Sequence, residues 1–469
     1  MDFKKEIKAY ALKNAIEHCG KAQAGAVVSG LFNHGLEKSG VGKIIPEIQK
    51  EIKRINSLNL EEQEKEFSDL KDLIGHRKER EGLPELENVK ANFVVRFSPS
   101  PSGPMHIGHA ITGMYSSLYA KKYKGKFYFR IEDTNPENIA PEAYKMLKDE
   151  ADWLFGNVTE YIIQSDRMKE YYNTVEKLIG SGDCYVCTCE PEEFKELMLK
   201  KKACDCRDLS VKEQKERWKR MLDKKGYKVG EAVVRFKADL KSENPALRDF
   251  PLARINETKH PRQGKKYRVW PLMNLSVTVD DIEFKTTHAI RGKDHEDNAK
   301  KQKMMYKALK KDKAYPTNYF IGRYKFTDLE ISATKTKEAI KAGRFSGWED
   351  IRLPFMESLK KRGFQREAFE MLVIEKGLTG ADKVISKEDF FENLAKFNRE
   401  IVKGVAEKLD FEKLGEKKAN SVVLMPSGEK VYGKTGKAKK SGLYYISGIG
   451  YARCNGKTGK IYEFWFAHR

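Results

Sequence analysis

Residues Phe97 to Ala110 read FSPSPSGPMHIGHA, and the fold is decided there. The stretch follows the β-type run Phe93-Val94-Val95-Arg96-Phe97. It leads into ITGMYSSLYA (111–120), whose apolar residues recur at helical spacing. Strand, Pro/Ser/Gly turn and helix, in that order, present a helix N-terminus to an anion, because its free N–H groups and dipole favour phosphate. Gly103 and Gly108 permit tight turning and close approach of a ligand. His106 and His109 flank Gly108. On spacing alone, a strand-to-helix turn with two polar caps fits equally well.

The 469 residues suggest about three domains. Lys+Arg number 90 against 69 Asp+Glu, a formal net charge of +21. That balance favours a polyanionic partner, RNA or DNA, through counterion release, although a lysine-rich solvated surface has the same composition. No apolar run approaches the ~20 residues needed to span a bilayer, so no membrane role is expected. The first residues carry no secretory-type apolar segment, and a cytoplasmic protein is expected. Seven cysteines, four of them in two close pairs, do not form a disulfide framework.

The chain divides into six stretches. Residues 1–90 are charged and helical in pattern, with helices at 44–58 and 60–73, Asn59 capping the second, and a charged linker at 77–84. Residues 91–180 read as the first half of an α/β fold. Its strands are 93–97 and 127–131, followed by helices at 141–154 and 166–179, the latter capped by Ser165. Residues 181–269 form an inserted lobe after Gly180-Ser181-Gly182. Strand-like character resumes in the second half, 270–325. Residues 326–402 are mostly helical, and 403–469, punctuated by glycines, read as a small β unit. Within the lobe, Cys187-Thr188-Cys189 and Cys204-Asp205-Cys206 bracket fourteen residues. Four thiolates from two such turns can close a tetrahedral structural zinc site, with Cys184 a further candidate thiol; four reduced cysteines are the alternative.

The phrase VRFSPSPSGPMHIGHA, followed by FYFRIEDTNP (127–136), resembles the glutamyl/glutaminyl branch of the class I aminoacyl-tRNA synthetases, and specifically the archaeal-type glutamyl enzymes. The likeness covers about residues 5 to 400 and, weakly, the last thirty. It implies a Rossmann-type catalytic core, an inserted lobe that grips the tRNA acceptor end, a helical stem-contact region and a reduced anticodon-binding-like β domain. It implies ATP with Mg²⁺, L-glutamate and tRNA-Glu as substrates, and a monomer is expected. Activation needs positioning and electrostatic stabilisation of charge on the phosphates.

By match to the family, His106, His109, Thr334 and Lys335 are the catalytic candidates. Lys335 lies in Ile331-Ser332-Ala333-Thr334-Lys335-Thr336-Lys337, which resembles the mobile KMSKS loop with its first lysine replaced, Lys337 compensating. Pro101, Gly103, Gly108, Asp294 and His295 are the ATP-binding candidates. Glu132 would face the α-amino group and Arg96 a substrate carboxylate, with Ser98, Ser100, Trp270 and Asn274 lining the pocket. Arg291 stands where glutamate enzymes carry the arginine that neutralises the side-chain carboxylate, and glutaminyl enzymes have a neutral residue there. An arginine facing neutral glutamine would be unpaired, at a cost of about 3–5 kcal/mol. The expectation is therefore a glutamate–tRNA ligase. The rivals are a glutaminyl enzyme, a relative that glutamylates a modified tRNA base, and a non-catalytic tRNA-binding relative.

Overall fold

The structure, a computed structural model, describes residues 3–18, 20–74 and 82–469. The expected linker at 77–84 falls, up to residue 81, outside the described residues. Two compact units are present, 1–81 and 82–469.

The first unit is helical: α1 (Lys4–Glu17), α2 (Ala24–Leu31), α3 (Val41–Ile55) and α4 (Leu60–Ser68). Asn59 caps α4 in a reciprocal box with Glu62, which is why the helix begins there. Ile7, Leu12, Val27, Leu31, Ile48 and Ile55 form its core.

The second unit opens with β1 (Val94–Phe97), α5 (Ile107–Lys122), β2 (Lys126–Ile131), α6 (Ala143–Leu154), β3 (Glu160–Ile163) and α7 (Met168–Gly180). A lobe follows, with β4 (Cys184–Cys187), α8 (Pro191–Leu199), α9 (Val211–Leu222), β5 (Val233–Phe236), β6 (Pro251–Ile255) and β7 (Val269–Pro271). The chain returns through α10 (Met273–Glu283), β8 (His288–Gly292), α11 (Glu296–Ala308) and β9 (Thr317–Ile321). Strands β1, β2 and β3 pair in parallel, as do β8 and β9. The two groups meet where the Thr287 N–H donates to the Val94 carbonyl at 2.9 Å. The lobe's strands β4 to β7 form an antiparallel sheet in sequence order.

The remainder is β10 (Tyr324–Phe326), α12 (Ala333–Lys341), α13 (Met356–Arg362), α14 (Arg366–Lys376), β11 (Lys383–Ile385) and α15 (Lys387–Val402). The β unit comprises β12 (Glu407–Leu409), β13 (Phe411–Lys413), β14 (Ser421–Leu424), β15 (Lys430–Thr435), β16 (Leu443–Ile446), β17 (Gly450–Thr458) and β18 (Ile461–His468). Their order, β12-β16-β17-β18-β14-β15-β13, brings two sequence neighbours to the two edges, so the seven-stranded sheet nearly closes on itself. No helix among the described residues is long and apolar enough to cross a membrane.

Three details differ from expectation. The helix expected from Asp166 begins as a 3₁₀ turn, and α7 proper starts at Met168. Ser165 does not cap it; its backbone N–H is drawn to the buried Asp133 carboxylate at 2.7 Å. Residues 270–292 are not mainly strand but α10 between two short strands. The buried aspartates of VTVDDIE interrupt the apolar run and face charged partners, which disguises the helical face.

The core of the first α/β half packs α5 against β1 and β2. Phe155 sits at its centre, in ring contact with Phe97, Phe127 and Phe129. Gly113 lets α5 approach it: a Cβ there would lie 2.4 Å from the Phe155 ring. Phe155→Ala is expected to destabilise this unit by about 3–5 kcal/mol, read as a lower urea midpoint. A shift under about 1 kcal/mol would place the packing centre elsewhere.

Candidate functional site

A cleft of about 460 Å³ opens at the C-terminal ends of β1 and β8. Parallel strands diverge to opposite sides at that point, and open α/β sheets bind ligands in the resulting crevice. One wall is the turn Phe97–Ser100 with His106, Gly108 and His109. The opposite wall is Arg291, Gly292, Asp294 and His295, with Glu132 and Gln302 deeper in.

His106 is the N-cap of α5. Its Nδ1 accepts the Gly108 and His109 N–H groups at 3.0 and 3.3 Å. That acceptance fixes the tautomer, leaving Nε2–H as the donor. The two rings stack with centroids 3.8 Å apart. Burial, with the neighbouring imidazole, holds His106 well below the usual histidine range, and burial brings His109 down to about 4. Both are therefore neutral hydrogen-bond donors at pH 7.

Beneath the cleft lies a cluster of buried charges. Asp281 accepts from Arg130 at 2.7 Å and from Arg96 through two longer bonds of 3.3 Å. Arg130 also reaches Glu132 at 3.2 Å. Burial raises the Glu132 carboxyl, against the pull of Arg130 and Arg96. Among the described residues Arg291 makes no ion pair. Its Nη1 donates to Gln302 Oε1 at 2.9 Å, while Nε and Nη2 are buried without a partner. Burial and the nearby Arg96 lower its guanidinium only to about 10, so it stays charged. A buried cation with two idle donors beside a cleft is built for an anion, bidentate carboxylate above all.

Of the sequence candidates, Arg96, Ser98, Ser100, His106, Gly108, His109, Glu132, Arg291, Asp294 and His295 line this one cleft. Others do not reach it. Trp270 is fully buried and stacks on His260 with centroids 4.8 Å apart. Asn274 touches the cleft only through Gln302. The Pro101 carbonyl accepts from Ala140 N–H, and Gly103 packs under Trp348. Thr334 and Lys335 lie in the first turn of α12, whose N-cap is Ser332. Lys335 is turned outward to Glu330 at 2.8 Å, and only Ile331 of that stretch borders the cleft.

The four lobe cysteines come together, all four Sγ atoms within 4.8 Å of one another. Cys187 and Cys204 are 3.9 Å apart, Cys189 and Cys206 3.8 Å. A tetrahedron with Zn–S of about 2.3 Å has edges of about 3.8 Å, so this donor set fits a closed zinc site. Cys184 points to the opposite face of β4, toward the Val175 carbonyl.

The sequence reading missed Arg130, Asp281 and Gln302. The adjacent Asp280-Asp281 pair, directly after Val277-Thr278-Val279, was the available signal for the buried charges. It also missed Glu150, which is buried on α6 and accepts the N–H of Met105, the residue before His106, at 2.6 Å.

The parallel strands, the crevice at their carboxyl ends and the buried guanidinium beside it define a Rossmann-type α/β fold with a cleft suited to an anion. Residues 92–403 match the catalytic domain of the class I tRNA synthetases (E and Q). The chain is 42% identical over 405 residues to a glutamate–tRNA ligase of Methanothermobacter thermautotrophicus, covering 86% of this chain and 72% of that one. Identity to the glutamate–tRNA ligase of Methanocaldococcus jannaschii is 40% over 398 residues, 85% and 70% of the two chains. A crystal structure of a glutamate-tRNA synthetase from Elizabethkingia anophelis is similar over 66% of this chain and 71% of that one, at 21% identity and TM-score 0.48. The chain belongs to the glutamyl/glutaminyl family of class I tRNA synthetases.

Burial raises the Glu150 carboxyl to about 8, above its value in an unfolded chain. The folded state therefore holds the proton more tightly, and this contribution to stability falls as pH rises from about 4.5 through 8. Relative to wild type, Glu150→Gln should gain stability between pH 5 and 8 in urea titrations. A difference that is flat or reversed across that range would show Glu150 ionised in the folded protein.

Proposed function

We propose that this protein is a glutamate–tRNA ligase. The observation that carries the reading is Arg291: a buried, charged guanidinium with two idle donors in the cleft that also holds His106 and His109. It supports glutamate over glutamine because a neutral amide would leave that cation uncompensated in a low-dielectric site.

In this reading glutamate lies with its side-chain carboxylate on Arg291 and its ammonium toward Glu132, with Arg96, Ser98 and Ser100 contacting the remainder. An α-carboxylate oxygen attacks the α-phosphorus of ATP, the bond to pyrophosphate breaks, and glutamyl-adenylate forms. His106 and His109 donate to the phosphate as charge builds, from the N-terminus of α5. Gly108 lets the phosphate approach, Pro101 and Gly103 shape the turn beneath it, and Asp294 and His295 border the adenosine. Lys335, with Thr334 beside it, would neutralise departing pyrophosphate once freed from Glu330. Mg²⁺ enters with the nucleotide. The 2′-hydroxyl of the terminal ribose of tRNA-Glu then attacks the carbonyl carbon, releasing AMP.

The division of labour proposed for the chain follows the six stretches. Residues 91–180 and 270–325 make the core, 181–269 grips the acceptor end, 326–402 meets the stem, and 403–469 faces the anticodon side. Residues 1–90 form a helical region ahead of the core. The protein works as a cytoplasmic monomer, with structural zinc on Cys187, Cys189, Cys204 and Cys206 fixing the lobe. Zinc there would hold the two cysteine turns together and take no part in the chemistry.

Glutamate-dependent ATP–pyrophosphate exchange, with and without tRNA, tests the reaction. We expect exchange with glutamate and not with glutamine, and a loss of at least about 100-fold in His109→Ala with tRNA affinity kept. Unchanged exchange in that variant, or none in wild type, overturns the assignment. For the metal, elemental analysis should give one zinc per chain, falling in Cys206→Ser; a metal-free, fully folded lobe would rule it out.

A further inference from the structure

His295, Asn298 and Gln302 are spaced by three and four residues at the start of α11, so they share one helical face. That face is polar, and it meets Asn274 in the first turn of α10. The contacts form one continuous line. Arg291 Nη1 donates to Gln302 Oε1 at 2.9 Å, and Gln302 Nε2 donates to Asn274 Oδ1 at 3.4 Å. Asn274 Nδ2 donates to Asn298 Oδ1 at 3.2 Å, and Asn298 Nδ2 meets His295 Nδ1 at 3.2 Å.

The direction of this line is set at one end. A guanidinium has donors and no acceptor, so Gln302 must offer it the oxygen. The Gln302 nitrogen then faces Asn274, which must accept, and the same logic passes through Asn298 to His295 Nδ1. Flipping Gln302 or Asn274 breaks two contacts. Gln302 and Asn274 are 2% and 9% exposed, so water cannot readily replace those contacts. Gln302 is also the one hydrogen-bond partner of Arg291 among the described residues.

We propose that Gln302 is a positioning residue that aims Arg291 into the cleft, and that Asn274 and Asn298 carry this hold to His295 on the same wall. An amide does this where a carboxylate could not. It accepts from the guanidinium without cancelling the charge that the substrate needs, and its other end donates onward. The proposal rests on glutamate binding at Arg291.

The test is glutamate-dependent ATP–pyrophosphate exchange with tRNA present, on the full-length protein, with KM for glutamate and for ATP measured separately. Gln302→Met removes the acceptor at similar volume. Glutamate KM should rise about tenfold or more, the loss typical of one hydrogen bond to a charged group. Turnover at saturating glutamate and ATP KM should change less than threefold. Gln302→Glu keeps the shape and the acceptor but cancels the charge, so its glutamate KM should exceed that of Gln302→Met. A merely structural role predicts the opposite order, because glutamate is the closer isostere. Asn298→Ala interrupts the line without touching Arg291 and should raise glutamate KM about threefold.

Glutamate KM within twofold of wild type in Gln302→Met overturns the proposal, as does Gln302→Glu being the milder variant. An unchanged KM in Asn298→Ala overturns the extension to His295. Wild type exchanging with glutamate while Arg291→Gln does not keeps the underlying reading intact whatever the Gln302 variants do. Equal exchange by wild type and Arg291→Gln sinks the reading itself, and the proposal with it.

Discussion

The site depends on how one buried carboxylate is shared. Asp281 sits beneath the sheet's switch point with Arg96 and Arg130 both hydrogen-bonded to it. Each arginine left without a carboxylate there would be costly to bury, and so would the aspartate alone. Together they hold β1, β2 and α10 at a fixed spacing, because each contributes one partner. Asp280 extends the arrangement to Arg167 at 2.8 Å and Tyr171 at 3.0 Å, tying in α7. The carboxylates are fully used by this scaffold. Among the described residues no carboxylate hydrogen-bonds Arg291, which feels Asp281 only through space and keeps two donors idle beside the cleft. In the proposed reading, a preference for an anionic ligand follows from the structural demand on Asp281, not from Arg291 in isolation.

The histidine pair answers a different constraint. The first N–H groups of a helix have no partner within it, and in α5 the Ile107 N–H is taken by the Pro354 carbonyl at 3.2 Å. His106 takes two of them with one nitrogen and thereby commits its other nitrogen to donating. Burial keeps both rings neutral, so the site gains donors without adding cations to a region already positive through Arg291 and Arg96. A phosphate arriving there meets directed N–H groups and the helix dipole rather than a diffuse cloud of charge. Specificity for geometry, more than raw attraction, is what such an arrangement provides.

Much of this was legible in the sequence, for a physical reason. The strand–turn–helix around His106 is local: the glycines, prolines and apolar spacing that build it are contiguous, so their order reveals the fold. The cysteine pairs were legible likewise, because the chemistry of four thiols at short spacing admits few structures. The charge cluster was not. Arg96, Arg130 and Asp281 are brought together by pairing of β1 with β2 and by the return of α10, over separations of up to 185 residues. No periodicity reports such a meeting. Trp270 and Asn274 show the converse limit. They fall at pocket positions by likeness, yet the chain buries one behind His260 and holds the other one residue away from the cleft.

The lysine of the 331–337 stretch shows why a site's sequence can be complete while its geometry is not. Ser332 caps α12, and the Glu330 carboxylate takes both the Ser332 N–H and the Lys335 ammonium. Both contacts are solvent-exposed, and exposed pairs of this kind contribute about 0–1 kcal/mol. A triphosphate beside Ile331 would offer Lys335 several charges in place of one. The exchange of Glu330 for phosphate is therefore nearly free of cost, whereas moving Arg291 from Gln302 would strand a buried amide. In the proposed reading, a rigid wall set by buried hydrogen bonds around Arg291 would be joined by a stretch that only a surface ion pair holds away. On that reading, binding energy from glutamate would be spent on the first without deforming it, and the approach of ATP would select the position of the second.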